Sequence, residues 1–266
     1  MNIISINKLT YRYLHDFVFH NFSLDIKETS WVTIAGSNKS GKSTLVKILS
    51  GLNMTDNDIK INNTQLNKEN LKKIRQQIGV VFENPDNSFI YDTVKEEMKI
   101  ILKNLKIDDI DFHIDKISKI FNINYLLNKD PHNLSGGEKQ KAAIACALVH
   151  KPKILLLDEA FLMIDNKEKN EILKTLKEYK DKENLTILNF THDLEESFYS
   201  DRLIIINKGE IIIDGKPRKV MEYDRILNKL GIEIPFIVDL SIKLKLYGLL
   251  DEIMYNTDEM VNTIWK

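Results

Sequence analysis

The chain is short of most things that would mark it as secreted, fibrous or membrane-spanning. One cysteine, Cys146, stands among its 266 residues, so no disulfide framework can form within the chain, and the composition suits a reducing compartment. Five prolines and ten glycines are too few for a collagen-like or Pro/Gly-rich disordered chain. No apolar run reaches the roughly 18 residues that a membrane-spanning helix needs, and the strongest candidate, 154–164, is broken by Asp158 and Glu159. Charge of one sign is missing too. The formal net charge is −1 and the pI about 6.6, which gives no electrostatic reason for nucleic acid or an anionic membrane surface as the main partner. Met1 to Asn7 has neither a basic start nor a long apolar core, so it does not read as a signal peptide. The expectation is a soluble, cytoplasmic protein.

Present instead is enough apolar material, 43% of residues, for a sizeable packed core. Segments 3–10 and 17–26 are rich in β-branched and aromatic residues and read as strands. Trp31 to Ala35 is a short apolar strand running into Gly36, followed by a helix over 42–50 with Gly51 as its stop. Further strands are expected at 59–61, 78–83, 154–158 and 185–190, and a hairpin at 203–213 around Asn207-Lys208-Gly209. Helical spacing marks most of 93–128, then 138–150, 167–179 and 194–199. From Arg225 onward the apolar residues (Ile226, Leu230, Ile237, Leu240, Leu244) recur at helical spacing. The pattern predicts an α/β domain over 1–224 with a helical insert at about 84–150, and a C-terminal helical appendix over 225–266.

Four motifs carry the chemistry. Gly36-Ser37-Asn38-Lys39-Ser40-Gly41-Lys42-Ser43 lies between a strand and a helix, the setting of a phosphate-binding loop. Its backbone N–H groups and helix N-terminus suit phosphates. Lys42 is expected to reach the β- and γ-phosphates, Ser43 to hold Mg²⁺ through its hydroxyl, and Thr44 to donate to the α-phosphate. Leu155 to Glu159 is a buried strand ending in two carboxylates, at the strand end where α/β folds place ligands. Asp158 is expected to act on Mg²⁺, and Glu159 to orient and deprotonate an attacking water. Leu134-Ser135-Gly136-Gly137-Glu138 opens a helix. An ordinary capped start explains Ser135 and Glu138, but not two consecutive glycines. Thr191-His192 follows a strand, where a histidine can reach the γ-phosphate and hold the water.

The order of these motifs resembles that of ATP-binding-cassette (ABC) ATPases. More narrowly, the chain is similar to the ATP-binding A component of energy-coupling factor (ECF) transporters. That likeness rests on Gly79-Val80-Val81-Phe82-Glu83-Asn84-Pro85-Asp86-Asn87, on Leu134 to Lys141 with Ala142-Ala143-Ile144-Ala145, and on Leu230-Gly231-Ile232-Glu233-Ile234-Pro235-Phe236. The Glu-Lys-Gln after the glycines is nearer the first of the two A paralogues. The resemblance implies a phosphate-loop NTPase fold of the ABC type, with an N-terminal antiparallel β subdomain beside the core and the helical insert. It also implies ATP and Mg²⁺ as cofactors and a head-to-tail dimer with a second A subunit, a paralogue or a copy of itself. Each ATP would lie between the phosphate loop of one subunit and Ser135-Gly136-Gly137 of the other. A transmembrane T component and a substrate-binding S component complete the expected partners, placing the chain peripherally at the cytoplasmic face of the membrane, with no nucleic acid. Tyr13 matches the aromatic that stacks on adenine, with Tyr11 as a rival. Asp165 matches the dimer-interface aspartate, and 84–98 the part that grips the membrane subunit.

The chain departs from the family pattern in two places that bear on the site. Glu83 stands where the family usually has glutamine. It could still ligate Mg²⁺, but its charge near the γ-phosphate would slow hydrolysis. Lys39 replaces a usual glycine and is expected to face solvent. Since Lys42, Ser43, Asp158, Glu159 and His192 are all present, an active ATPase is expected. The alternative is a subunit that binds ATP and completes its partner's site while hydrolysing little itself. Cys146 reads as packing, and the Lys-rich stretch 167–182 as a solvated helix face.

Overall fold

The computed structural model describes residues 1–13 and 16–264. Among these residues two sheets are built from ten strands. β1 (Asn2–Tyr13) and β2 (Asp16–Lys27) pair antiparallel, and β4 (Asp58–Ile61) with the two-residue β5 (Thr64–Gln65) extends them into the order β2-β1-β4-β5. The second sheet holds β3 (Trp31–Ala35), β6 (Ile78–Val81), β7 (Ile154–Asp158), β8 (Thr186–Thr191), β9 (Arg202–Asn207) and β10 (Glu210–Gly215) in the order β10-β9-β3-β8-β7-β6. Its strands run parallel except β10, which returns antiparallel to β9. At that turn Lys208 and Gly209 both have positive φ, 48° and 76°, the conformation a tight hairpin favours.

Every residue of β3, β7 and β8 is buried, as expected of parallel strands covered on both faces. Alternate side chains serve different cores because successive residues point to opposite sides. Val32, Ile34, Ile154 and Leu156 pack with the antiparallel sheet and with α1 (Lys42–Leu49). Trp31, Leu155 and Leu157 pack with the helices on the other side. Those helices are α3 (Val94–Asn104), α4 (Ile110–Ile120) and α5 (Gly136–Leu148) of the insert, with α6 (Asn166–Glu183) beside them. A five-residue α2 (Leu71–Arg75) precedes β6. The C-terminal part forms α7 (Pro217–Met221), α8 (Asp224–Lys229), α9 (Phe236–Leu246) and α10 (Thr257–Ile264). Val220, Leu227, Ile232 and Val238 from it pack against Ala35, Leu203 and Ile205 of the parallel sheet.

The expected elements are present, and four of the differences bear on how the sequence is read. The helical stretch over 93–128 is two helices with a short 3-10 turn after them, because Asp109 adopts a left-handed backbone at φ 54°. Segment 194–199 is a 3-10 helix capped by Asp193. α2 lies in a polar stretch too short to show a period. The fourth concerns 167–182, which is not a wholly solvated face. Lys169 and Lys180 are buried and ion-paired, Lys169 to Asp193 at 2.6 Å and Lys180 to Asp201 at 3.4 Å. A lysine's charge says nothing about which side of its helix faces inward, and a buried charge is tolerated where it finds a partner.

Two groups in and just after α5 show what burial does to ionisation. Cys146 packs in α5, and burial pushes its thiol pKa well up, so it is inert at neutral pH. His150, just past α5, has both ring nitrogens buried without a partner among the described residues, and burial pulls its pKa down from 6.5 to about 4. Above pH 6.5 the ring is neutral folded or unfolded and contributes nothing. Between 6.5 and 4 only the unfolded chain takes the proton, so stability falls as pH falls. Urea midpoints measured from pH 7 to pH 4 are expected to drop less in His150→Leu than in the wild type.

Candidate active site

Parallel pairing places the carboxyl ends of β3, β8, β7 and β6 side by side along one edge of the sheet. Three of the four expected motifs, and Glu83, stand at those ends, while Leu134 to Glu138 opens α5 instead. The loop 36–41 leaves β3, Asp158 and Glu159 end β7, His192 follows β8, and Glu83 lies just past β6. Glu83, Glu159 and His192 line one cleft of about 440 Å³ with Asn38 to Thr44 and Leu162, and Asp158 meets its lining through Ser43.

The loop is held in shape from both sides. The Ser40 carbonyl accepts the Gly209 N–H at 3.0 Å, and the Ser40 N–H donates to the Ser37 carbonyl at 3.2 Å. Gly41 caps α1 at φ 112°, with Phe19 of β2 so near that a Cβ would lie 2.9 Å from its ring. A Cβ on Gly36 would lie 2.3 Å from the Ile206 carbonyl oxygen and 2.7 Å from Ser40 Oγ. Gly36→Ala must therefore displace the loop. The expected outcome is ATP binding weaker by at least about tenfold, with a stability loss of roughly 1–3 kcal/mol, read by calorimetric titration and thermal unfolding. Lys39 is exposed and sits at φ 64°, a backbone conformation that glycine adopts freely and lysine only with strain.

Lys42 is buried, and its Nζ donates to the Gly36 carbonyl at 2.6 Å and lies 3.4 Å from Glu159 Oε1. The first intrahelical bond of α1 is Leu45 N–H to the Gly41 carbonyl at 2.9 Å. The N–H groups of Lys42, Ser43 and Thr44 therefore have no acceptor within the helix. Ser40 Oγ is buried with no partner among the described residues. Free donors at a helix N-terminus, an orphaned hydroxyl and a lysine in one cradle fit a phosphate chain.

Ser43 Oγ donates to Asp158 Oδ1 at 3.1 Å. Burial raises the Asp158 pKa from 3.8 to about 6, the Ser43 hydrogen bond opposes the shift, and the charges of Glu159 and Glu83 add to it. Glu159 sits at φ 49°, a strained backbone for a non-glycine residue, with its N–H donating to the Phe190 carbonyl at 2.8 Å. That tie between the ends of β7 and β8 brings His192 to it. His192 Nδ1 lies 2.9 Å from Glu159 Oε2, and the His192 backbone N–H donates to the same oxygen at 3.3 Å. The Gln140 side chain donates to the Phe82 carbonyl at 3.2 Å, fixing the residue before Glu83 to α5.

Of the expected residues, Gly36, Ser37 and Asp158 sit just behind the cleft lining, and Ser135, Gly136, Gly137, Asp165 and Tyr13 lie away from it. Ser135 caps α5 in a reciprocal capping box with Glu138, and those hydrogen bonds hold the Glu138 carboxyl below its usual pKa. Gly136 and Gly137 face Met163 and Glu168, so the loop after Glu159 runs beside them. The Asp165 carboxylate caps α6, accepting the Lys167 and Glu168 N–H groups at 3.0 Å. Tyr13, at the end of β1, is 45% exposed, stacks edge-on against Tyr11 and accepts a hydrogen bond from Asn53 at 2.7 Å.

Comparison with known proteins agrees with this geometry. Residues 19–162 match the family described as ABC transporter. The energy-coupling factor transporter ATP-binding protein EcfA1 of Leuconostoc mesenteroides is 37% identical over 91% of this chain and 90% of its own. The protein of the same description from Bacillus subtilis is 35% identical over 99% and 96%. The chain belongs to the ABC transporter ATPases, among the ATP-binding proteins of energy-coupling factor transporters. Solved structures share the fold of this ABC ATPase. CbiO1 from Clostridium perfringens, part of the ABC transporter complex CbiONQ, superposes with a TM-score of 0.77 at 30% identity, covering 88% of this chain and 96% of its own. The ATP-binding cassette MJ0796, solved as a dimer in a post-hydrolysis state with ADP and Pi, gives 0.74 at 28% identity, covering 81% and 99%.

Three groups beside the ABC site escape sequence reasoning. Leu162 lines the cleft. Lys169 reaches Asp193, the residue after His192. Glu196 is buried, its pKa raised to about 8 by burial against a hydrogen bond from Asn189 at 2.7 Å. The signal for Lys169 is its spacing, four residues after the helix-capping Asp165, which fixes the side of α6 it occupies.

Proposed function

We propose that the chain binds and hydrolyses ATP as the A subunit of an ECF-type transporter and so drives uptake of vitamins or metal ions. The observation that carries this is the single cleft lined by Lys42, Ser43, Glu159 and His192, with Asp158 hydrogen-bonded to Ser43 at its edge. An incoming phosphate chain meets the helix N-terminus and draws Lys42 away from the Gly36 carbonyl and Glu159, since a polyanion is the stronger partner. Ser43 Oγ and Asp158 offer hard oxygen ligands that fit Mg²⁺. No three-residue cluster of metal-binding side chains exists among the described residues, so phosphates and water would fill the remaining positions. Magnesium held there supplies charge neutralisation on the phosphate oxygens. Glu159 takes the proton of the attacking water. His192, held at Nδ1 by Glu159, presents its other nitrogen to the γ-phosphate. Glu83 faces the same water and adds negative charge beside Asp158, which slows the reaction relative to a glutamine.

The exposed Ser135-Gly136-Gly137 turn supports a head-to-tail dimer with a second A subunit, each turn completing the partner's ATP site. Tyr13 supports the adenine. No helix among the described residues is long and apolar enough to cross a membrane. By its likeness to the ATP-binding proteins of energy-coupling factor transporters, the chain would sit peripherally at the cytoplasmic face, against a transmembrane T component that works with an S component. ATP contacted by both subunits holds the dimer closed, and hydrolysis removes that contact. The test is ATP turnover by the purified chain, alone and co-expressed with candidate A and T partners. Turnover that appears with partners supports the reading. ATP binding without turnover in any assembly would favour the accessory-subunit alternative.

A further inference from the structure

The ion pair between Lys169 and Asp193 joins two parts of the molecule that the ATPase reading treats separately. Lys169 lies in the second turn of α6. Its N–H donates to the carbonyl of Asp165, the residue that caps the helix, at 2.8 Å. Its Nζ crosses to Asp193 Oδ2 at 2.6 Å, and the lysine is 7% exposed. Asp193 has little freedom. Its Oδ1 accepts the Glu195 N–H at 2.9 Å, capping the 3-10 helix 194–199, and its own N–H donates to Thr191 Oγ1 at 3.0 Å. His192 is strung between those two anchored neighbours. A buried lysine that lost this partner would be left as an uncompensated charge, so the pair moves as a unit.

At its other end, α6 begins where the loop after Glu159 arrives, and that loop lies against Gly136 and Gly137. A shift of the first turns of α6 is thus transmitted through Lys169 to Asp193 and on to the histidine beside it. We propose that Lys169 is a positioning residue, fixing the aim of His192 by tying its loop to the start of α6. It does not touch ATP in this role. The turnover part of the argument rests on the function proposed above; the positioning part does not.

The test therefore has two arms. In the first, the full-length chain carries ¹³C-labelled histidine, and the His192 Cε1–H resonance is followed by NMR. It is expected to move or broaden in Lys169→Met and to keep its wild-type position in Lys169→Arg, which preserves the pair. Lys177→Met serves as control, because it breaks a different α6 ion pair, to Asp201 at 3.4 Å. It is expected to leave the resonance in place. In the second arm, turnover of the assembled complex is expected to fall about ten- to a hundredfold in kcat for Lys169→Met, the scale of a misplaced catalytic group. KM for ATP should stay within about twofold, and Lys169→Arg should restore the rate. An unmoved His192 resonance in a folded Lys169→Met protein overturns the proposal, as does an equal response in Lys177→Met. A moved resonance with no turnover even in the wild-type complex would uphold the positioning and reject the ATPase reading instead.

Discussion

Glu159→Gln is expected to cut ATP turnover by roughly 10²- to 10⁴-fold, the range of a lost general base, while ATP still binds. The amide keeps the size and the hydrogen-bonding reach of the carboxylate, so His192 Nδ1 at 2.9 Å stays in place. It cannot accept a proton from water. The substitution also deletes a negative charge 3.4 Å from Lys42 Nζ and beside the expected γ-phosphate. ATP affinity should therefore hold or rise, and a dimer held by unhydrolysed ATP should accumulate. Phosphate release and light scattering after size-exclusion chromatography read both outcomes on one preparation. Loss of binding together with turnover would mean that Glu159 shapes the site rather than acting on water.

The second large effect has opposite signs in its two readouts. Asp158→Asn is expected to stabilise the metal-free protein and to reduce magnesium-dependent turnover by about a hundredfold or more. The Asp158 pKa is raised from 3.8 to about 6 chiefly by burial, so the ionised side chain is disfavoured in the fold. Below pH 3.8 the group is neutral folded and unfolded and costs nothing. As pH rises from 3.8 through 6 only the unfolded chain ionises readily, and stability is lost. Above 6 the penalty is complete, on the order of 2–3 kcal/mol for a shift of about two units. Asparagine avoids it and can still accept from Ser43 Oγ. Thermal unfolding in EDTA should show a gain at pH 7.5 that shrinks toward pH 4, and a variant less stable than wild type at pH 7.5 would reject the burial argument. The site thus holds a carboxylate that costs stability until a cation arrives.

Much of this is legible in the sequence because the chemistry is local. Gly36 to Thr44 is one continuous loop and helix start, and its fit to a phosphate chain follows from backbone N–H groups only a few residues apart. The buried strand ending at Asp158-Glu159 and the hairpin around Lys208-Gly209 are equally short-range. Lys169 and Lys180 were legible only as charge, and Glu196 only as one residue of the helical segment 194–199. Their burial depends on which side of α6 meets the loop after β8, a matter of packing between segments far apart in the chain.

By itself, then, the sequence determined most of the elements: the buried strand at 154–158, the cap at Ser135, and the residue types that suit phosphate, a cation or a proton. The tertiary structure alone decided that these groups meet. β8 comes late in the chain yet inserts between β3 and β7, and only that crossover sets His192 beside Glu159 and Lys42. The physical reason is that side-chain periodicity specifies a face for each strand, whereas strand order is settled by which neighbours together bury those faces most completely.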